Sequence, residues 1–374
     1  MPERPSPELP PRAATAARVL AVLTLRNEGV FLIDWLAHHR ACGISDFLVF
    51  SNDCQDGSDL MLDRLADLGW LTHVRNDGPQ GGDGVQWAAL KRADRHPLRE
   101  AADWVIALDI DEYLNIHAGD RSIGALIAAL PGATAITLTW RLFGNAGVVR
   151  DSGLPVTETF THAAPAVMGW PWRAGMFKTL FRDDGSYGRL GIHRPRQPDP
   201  ARLGAQCWFD GSGRELPAAF HRQRVFSILG QDNYRLAQIN HYALGSMEGF
   251  LLKCDRGRAN RTAAPLGLDY WVERNFSDVE DRSIIAMAPH SAPLRDRLRA
   301  DPVLGPLHEA ATAWRRARFD ALMRDEDRRG LFARLAMAPA SRVPDPGMQR
   351  FLVAHARRGA KSGAAETEPG HRRD

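Results

Sequence analysis

Short apolar runs alternate with amphipathic segments through the first hundred residues, and the alternation ends on an acidic triplet. Residues 18–25 form a continuous apolar run rich in β-formers, which predicts a buried strand. Arg26-Asn27-Glu28-Gly29 breaks it. Phe31, Trp35, Leu36 and His39 then recur at helical spacing, predicting a helix over 31–42 that Gly43 is placed to end. Residues 47–50 read as a second strand, stopped by Ser51-Asn52-Asp53; residues 59–68 read as a second helix, ended by Gly69. A strand over 70–74, a glycine-rich loop over 77–84 able to close over a ligand, and a helix over 86–93 follow. The strand at 104–108 runs directly into Asp109-Ile110-Asp111-Glu112. Strands and helices in such short alternation predict an α/β chain with a parallel sheet and right-handed crossovers.

Beyond this point the pattern changes. Strands are predicted at 135–140, 176–181, 206–209 and 238–243, with irregular loops between them, and helices at 247–255, 270–276 and about 304–329. The chain divides into a Pro-rich disordered leader (1–16), a main domain (17–260), a helical extension (261–340) and a flexible basic tail (341–374).

Charge and cysteine usage exclude several classes. The net charge is +3, and the seven basic and four acidic residues from Ser341 onward account for it. The body is therefore balanced and lacks the basic face of a nucleic-acid binder. The four cysteines (Cys42, Cys54, Cys207, Cys254) show no Cys-x-x-Cys spacing and read as thiols of a reducing compartment. No signal-peptide pattern or membrane-length apolar stretch is visible, so a cytoplasmic location is expected, with the basic tail giving at most peripheral contact at the inner membrane face.

The acidic triplet sits where open α/β sheets bind ligands, beyond the carboxyl end of a strand. Asp109 and Asp111, two apart on extended chain, point to one side. Adjacent carboxylates repel, and a divalent cation such as Mg²⁺ or Mn²⁺ relieves the repulsion while keeping positions open for phosphate. The loops Arg26-Asn27-Glu28 and Ser51 to Gly57 follow parallel strands and belong on the same edge. Their polar side chains suit a nucleoside base and ribose, although Asn, Asp and Gly also simply make turns.

Together these residues resemble a family 2-type glycosyltransferase of the GT-A fold, and the chain is also similar to family 92 glycosyltransferases. The resemblance runs in order over about residues 18–260. It is carried by Leu25-Arg26-Asn27-Glu28 with Trp35 to His39, by Ser51 to Ser58, by Trp104 to Leu114, by Trp140 to Gly144, by Phe177-Lys178 and by Asn240-His241-Tyr242. It implies a Rossmann-like, mostly parallel central sheet with flanking helices, an irregular acceptor-side region and C-terminal helices. It also implies donor binding through Arg26, Asn27, Glu28, Asn52, Asp53 and Asp56, together with Asp109 and Lys178. Mn²⁺ or Mg²⁺ would sit on Asp109 and Asp111, with His241 completing the shell. Asp111 and Glu158 are the implied catalytic residues, Glu158 as base with Glu248 as second choice. Trp140, Asn145, His193 and Lys253 fall on the acceptor side.

The reaction the resemblance implies moves a sugar from a nucleoside-diphosphate donor, a UDP-sugar by preference, to a glycan or lipid-linked acceptor with inversion. The long C-terminal helix offers a possible homodimer face. Two rival readings are a phosphotransferase of the haloacid dehalogenase type and an inactive GT-A-fold binding protein. The first needs Thr or Val shortly after the second Asp, where this chain has Glu112 and Tyr113.

Overall fold

A computed structural model describes residues 17–80, 84–257 and 266–365, with side chains to residue 356. The leader (1–16), the middle of the glycine-rich loop (81–83) and the end of the tail (366–374) lie outside the described residues.

The strands in chain order are β1 (Val19–Leu25), β2 (Asp46–Ser51), β3 (Thr72–Arg75), β4 (Trp104–Ala107), β5 (Glu112–Ile116), β6 (Ala135–Leu142) and β7 (His162–Ala163). They continue with β8 (Phe177–Arg182), β9 (Tyr187–Arg189), β10 (Arg196–Pro198), β11 (Trp208–Asp210), β12 (Ala237–His241) and β13 (Val279–Glu280). The helices are α1 (Gly29–Ala41), α2 (Ser58–Asp67), α3 (Val85–Ala93), α4 (Pro97–Glu100), α5 (Ile123–Ala128), α6 (Val156–Thr159) and α7 (Ala219–Arg222). Six more follow: α8 (Met247–Arg256), α9 (Leu268–Val272), α10 (Ala288–Arg299), α11 (Leu304–Leu322), α12 (Glu326–Met337) and α13 (Pro346–Ala365).

One mostly parallel sheet organises the molecule, in the order β3-β2-β1-β4-β8-β6-β12-β5, with β11 paired to β6. The half β3-β2-β1-β4 is wholly parallel. Strands β8 and β5 run antiparallel to their neighbours, which makes the other half mixed. β1 shows why its run is apolar throughout. Val19, Ala21, Leu23 and Leu25 enter one core and Leu20 and Val22 enter the other, so both faces are covered. Gly43 and Gly69 follow α1 and α2 with φ of 98° and 73°, the left-handed positions that end a helix at little cost.

The C-terminal helices fold back onto the sheet's helical layer. α10 and α11 pack on α1, α11 also meets α2 and α8, and α12 covers α8 and α9. Several elements differ from the sequence reading. The helix expected over 304–329 is two, because Asp325 accepts the Arg328 N–H at 2.9 Å and starts α12. The helix expected over 270–276 is the shorter α9, and α13 occupies part of the segment read as a loose tail. β5 was hidden by Glu112 and Asn115, which interrupt its apolar pattern although all five residues are buried. α10 was hidden by its prolines: one falls in the first turn, where an N–H is not needed, and Pro293 lies inside.

Candidate active site

β4 ends at Ala107 and the chain turns through Asp109-Ile110-Asp111 into β5. Helix α1 holds this turn, since the Trp35 indole N–H reaches the carbonyls of Asp109 (3.2 Å) and Glu112 (3.0 Å). The Glu112 side chain holds it from beneath. Its carboxylate is fully buried and accepts the Asp109 backbone N–H (2.9 Å) and the Trp140 indole N–H (2.7 Å). Lys178, on β8 and equally buried, sits 3.2 Å from Glu112 and 2.9 Å from Asp109. Gln86, at the start of α3, donates to the other Asp109 oxygen at 2.8 Å.

Asp111 meets a second lysine. Lys253 of α8 lies 2.6 Å from its carboxylate and also donates to the Ala243 carbonyl at 2.7 Å. His241, at the end of β12, brings Nε2 to 3.7 Å from the same oxygen. Burial works against ionisation of Asp111, yet Lys253 and His241 hold its carboxyl well below the usual range. Glu112 goes the other way: burial pushes it up to about 8 despite Lys178. Burial likewise opposes the charge of Lys178 and of Lys253, but the carboxylates they face raise both above the ordinary lysine value.

The loops after β1 and β2 are tied to each other. Asn27 (φ 53°) and Asp53 (φ 44°) are both left-handed, which Asn and Asp tolerate better than most residues. The Asn27 side chain accepts the Gln55 N–H (2.7 Å), and Asp53 accepts that of Gly78 (3.0 Å). Asp56 is buried and joins the two loops, accepting from Gly29 N (3.0 Å) and Ser58 N (2.9 Å). Glu28 pairs with Arg256 of α8. The Asn52 Oδ1 and Arg26 Nε atoms are buried beside the cleft with no partner among the described residues.

These pieces line one open cleft of about 2050 Å³, open solvent included. Of the residues singled out from sequence, Arg26, Glu28, Asn52, Asp109 and Asp111 face it from the parallel half, Trp140 and His241 from the mixed half, His193 from the loop between β9 and β10, and Lys253 from α8. Others stand elsewhere. Asn27 fastens its loop and lines an adjoining cavity with Glu28, Asp111 and Lys253, Asp53 and Asp56 fasten loops, and Lys178 acts beneath the turn. Asn145 is buried, donating to the carbonyls of Val148 and Gly245 at 2.7 Å each. Glu158, on α6, lines a separate small cavity with Asp34, Tyr113 and Arg295, whose guanidinium is 3.8 Å away. Glu248 pairs with Arg150 at 2.9 Å, also outside the cleft lining. Sequence reasoning missed Gln86, Arg256, Tyr270 and Arg274. Arg256 and Arg274 carried no signal in a chain where arginine is by far the commoner basic residue.

Among the described residues, no cluster of three or more His, Cys, Asp or Glu side chains is arranged to hold a metal ion. Asp111 and His241 form a pair that fits one, while Asp109 is engaged by Lys178 and Gln86. No described helix is long and apolar enough to cross a membrane.

No family model matches the chain. A glycosyltransferase family 92 protein of Ricinus communis is 27% identical over 97 residues, which span 25% of this chain and 16% of that relative's length. Among solved structures, the chain is similar to residues 1–349 of S. aureus TarS in complex with UDP-GlcNAc, with 14% identity, a TM-score of 0.32, and 76% and 73% of the two chains covered. It is also similar to Mycobacterium tuberculosis glucosyl-3-phosphoglycerate synthase in complex with Mn²⁺, UDP and glucosyl-3-phosphoglycerate, with 13% identity, a TM-score of 0.26, and 49% and 67% covered.

Proposed function

We propose that the chain is a glycosyltransferase of the GT-A type that transfers a sugar from a nucleoside-diphosphate donor, a UDP-sugar first among them, to a hydroxyl of a glycan or lipid-linked acceptor. One observation carries this reading. The acidic turn, Lys253, three arginines and two histidines converge with the loops after β1 and β2 on one cleft at the carboxyl edge of the parallel strands. The 97-residue similarity to a family 92 glycosyltransferase supports it.

In this reading the nucleoside lies over the β1 and β2 loops, where Asn52 and Arg26 have buried polar atoms without partners among the described residues. Asp111 and His241 would hold Mn²⁺ or Mg²⁺, with Asp109 beside them and remaining positions left to the diphosphate. Such an ion supplies Lewis-acid stabilisation of the leaving diphosphate. The chain's own contribution is a set of fixed cations: Lys253 and Arg256 face the cleft where that charge develops. Trp140 and His193 flank the space for the sugar, and the transfer proceeds with inversion.

The test is calorimetric titration of UDP with and without Mn²⁺. Wild-type protein is expected to bind UDP more tightly with Mn²⁺ present. Asp111→Ala is expected to lose that dependence while keeping its circular dichroism spectrum. Equal UDP affinity in the folded variant would reject the assignment.

A further inference from the structure

An inverting transfer needs a base for the acceptor hydroxyl, and the cleft offers few candidates. Among the described residues, every carboxylate lining it is already engaged: Glu28 by Arg256, Asp109 by Lys178 and Gln86, and Asp111 by Lys253. Glu158 lines another cavity. His241 has Nδ1 buried and turns Nε2 toward Asp111.

His193 is different. Its Nδ1 lies 3.1 Å from the Phe177 carbonyl oxygen, which can only accept. Nδ1 therefore carries the proton, and in the neutral ring Nε2 keeps a lone pair. That atom has no hydrogen-bond partner among the described residues, and His193 lines the cleft. Two contacts to β8 fix the residue, since the Thr179 hydroxyl also donates to the His193 carbonyl at 2.9 Å. The Trp140 ring stands edge-on to His193 (centroids 5.5 Å) and also touches the His241 ring (4.1 Å).

We propose that His193 is the general base of the transfer, accepting the acceptor's proton on Nε2. This rests on the glycosyltransferase reading above. The acceptor O–H proton passes to Nε2, and the oxygen's electron pair forms the bond to the anomeric carbon. The bond from that carbon to the phosphate oxygen breaks with its pair, releasing the nucleoside diphosphate. The imidazolium then returns its proton to solvent. Burial, with Lys178 next in effect and His241 also lowering it, brings the imidazole down to about 4 against the opposing pull of Asp109. The ring is therefore neutral at physiological pH and about as basic as a carboxylate.

The test uses UDP-GlcNAc and UDP-glucose with Mn²⁺ and water as acceptor, measuring UDP release and, by calorimetry, donor affinity. His193→Ala is expected to lower turnover by about 100-fold or more with donor affinity unchanged, and added imidazole to restore part of it. Undiminished turnover, or a loss explained entirely by weaker donor binding, overturns the base assignment. A second measurement does not depend on turnover. The ring-nitrogen NMR signals of His193 are expected to report a neutral Nδ1–H tautomer at neutral pH, and an Nε2–H or doubly protonated ring overturns the proposal. Wild-type protein that binds neither UDP nor either UDP-sugar would instead sink the glycosyltransferase reading, and this one with it.

Discussion

Lys178 and Lys253 look alike in the sequence and do different work in the fold. Lys178 is sealed from solvent between Asp109 and Glu112. Its removal takes from Asp109 and Glu112 the cation they share, and Glu112, already raised to about 8, holds a proton instead of a charge. Lys178→Met is therefore expected to destabilise the protein by about 1–3 kcal/mol, the cost of leaving buried polar groups without their partner, read from urea denaturation midpoints. An unchanged midpoint would contradict the buried ion-pair arrangement. Lys253 is partly exposed, with 19% of its side chain accessible, and faces the cleft. Lys253→Met should spare most of the stability but weaken UDP binding by about 10-fold, the loss of one charge-assisted hydrogen bond. Equal UDP affinity would remove Lys253 from the donor site. The sequence shows Lys178 and Lys253 as two of only four lysines. It did not announce their partners, which lie 69 and 142 positions away along the chain.

At the scale of elements, the acidic turn is positioned by what surrounds it. Trp35 reaches from α1 to two of its carbonyls, and Trp140 reaches from β6 to the Glu112 carboxylate. Trp35→Phe keeps the packing volume and removes both α1 bonds. It is expected to cost about 1–3 kcal/mol, and to weaken Mn²⁺-dependent UDP binding beyond any change in UDP binding alone. If calorimetry finds metal dependence intact at reduced stability, Trp35 only packs. β1 to β4 and α1 to α3 were legible because each is a local pattern with its own stop signal, whereas the one-turn α4 was not read. β5 and α10 were not. β5 owes its place to pairing with β12, residue by residue from Glu112↔His241 to Ile116↔Ala237, and α10 to packing on α1. Pairing and packing of that kind leave no local period to read.

Across the whole molecule, α1 joins the sheet through histidines that must stay neutral. His39 donates through Nδ1 to the Trp35 carbonyl (2.8 Å) and accepts the Leu114 N–H at Nε2 (3.3 Å). His38 donates to the Leu114 carbonyl at 2.7 Å. Burial lowers His38 to about 4, and burial with the neighbouring His38 lowers His39 well below the ordinary value. A depressed histidine is neutral in the fold while the unfolded chain takes up a proton, so its contribution is complete above pH 6.5. It is lost as the pH falls from 6.5 toward 4, at about 1.4 kcal/mol per pH unit for each histidine. Unfolding free energies measured by denaturant at pH 7, 6 and 5 should therefore fall steeply; a flat profile would show that these rings are not held neutral.

The amino-acid sequence by itself determined the α/β class, the order of the first four strands' loops and the position of Asp109 and Asp111 at a strand end. These follow from side-chain periods of two and 3.6 and from glycines that stop helices, all of which act over a few residues. Only the tertiary structure decided which charge meets which: Lys253 on Asp111, Arg256 on Glu28, and Glu158 in a cavity of its own. It also decided which histidine keeps a lone pair toward the cleft, because the Phe177 carbonyl that sets the His193 tautomer arrives on β8 while His193 sits in the loop between β9 and β10. Electrostatic neighbours are chosen by how distant segments converge, and a one-dimensional pattern carries no record of that convergence.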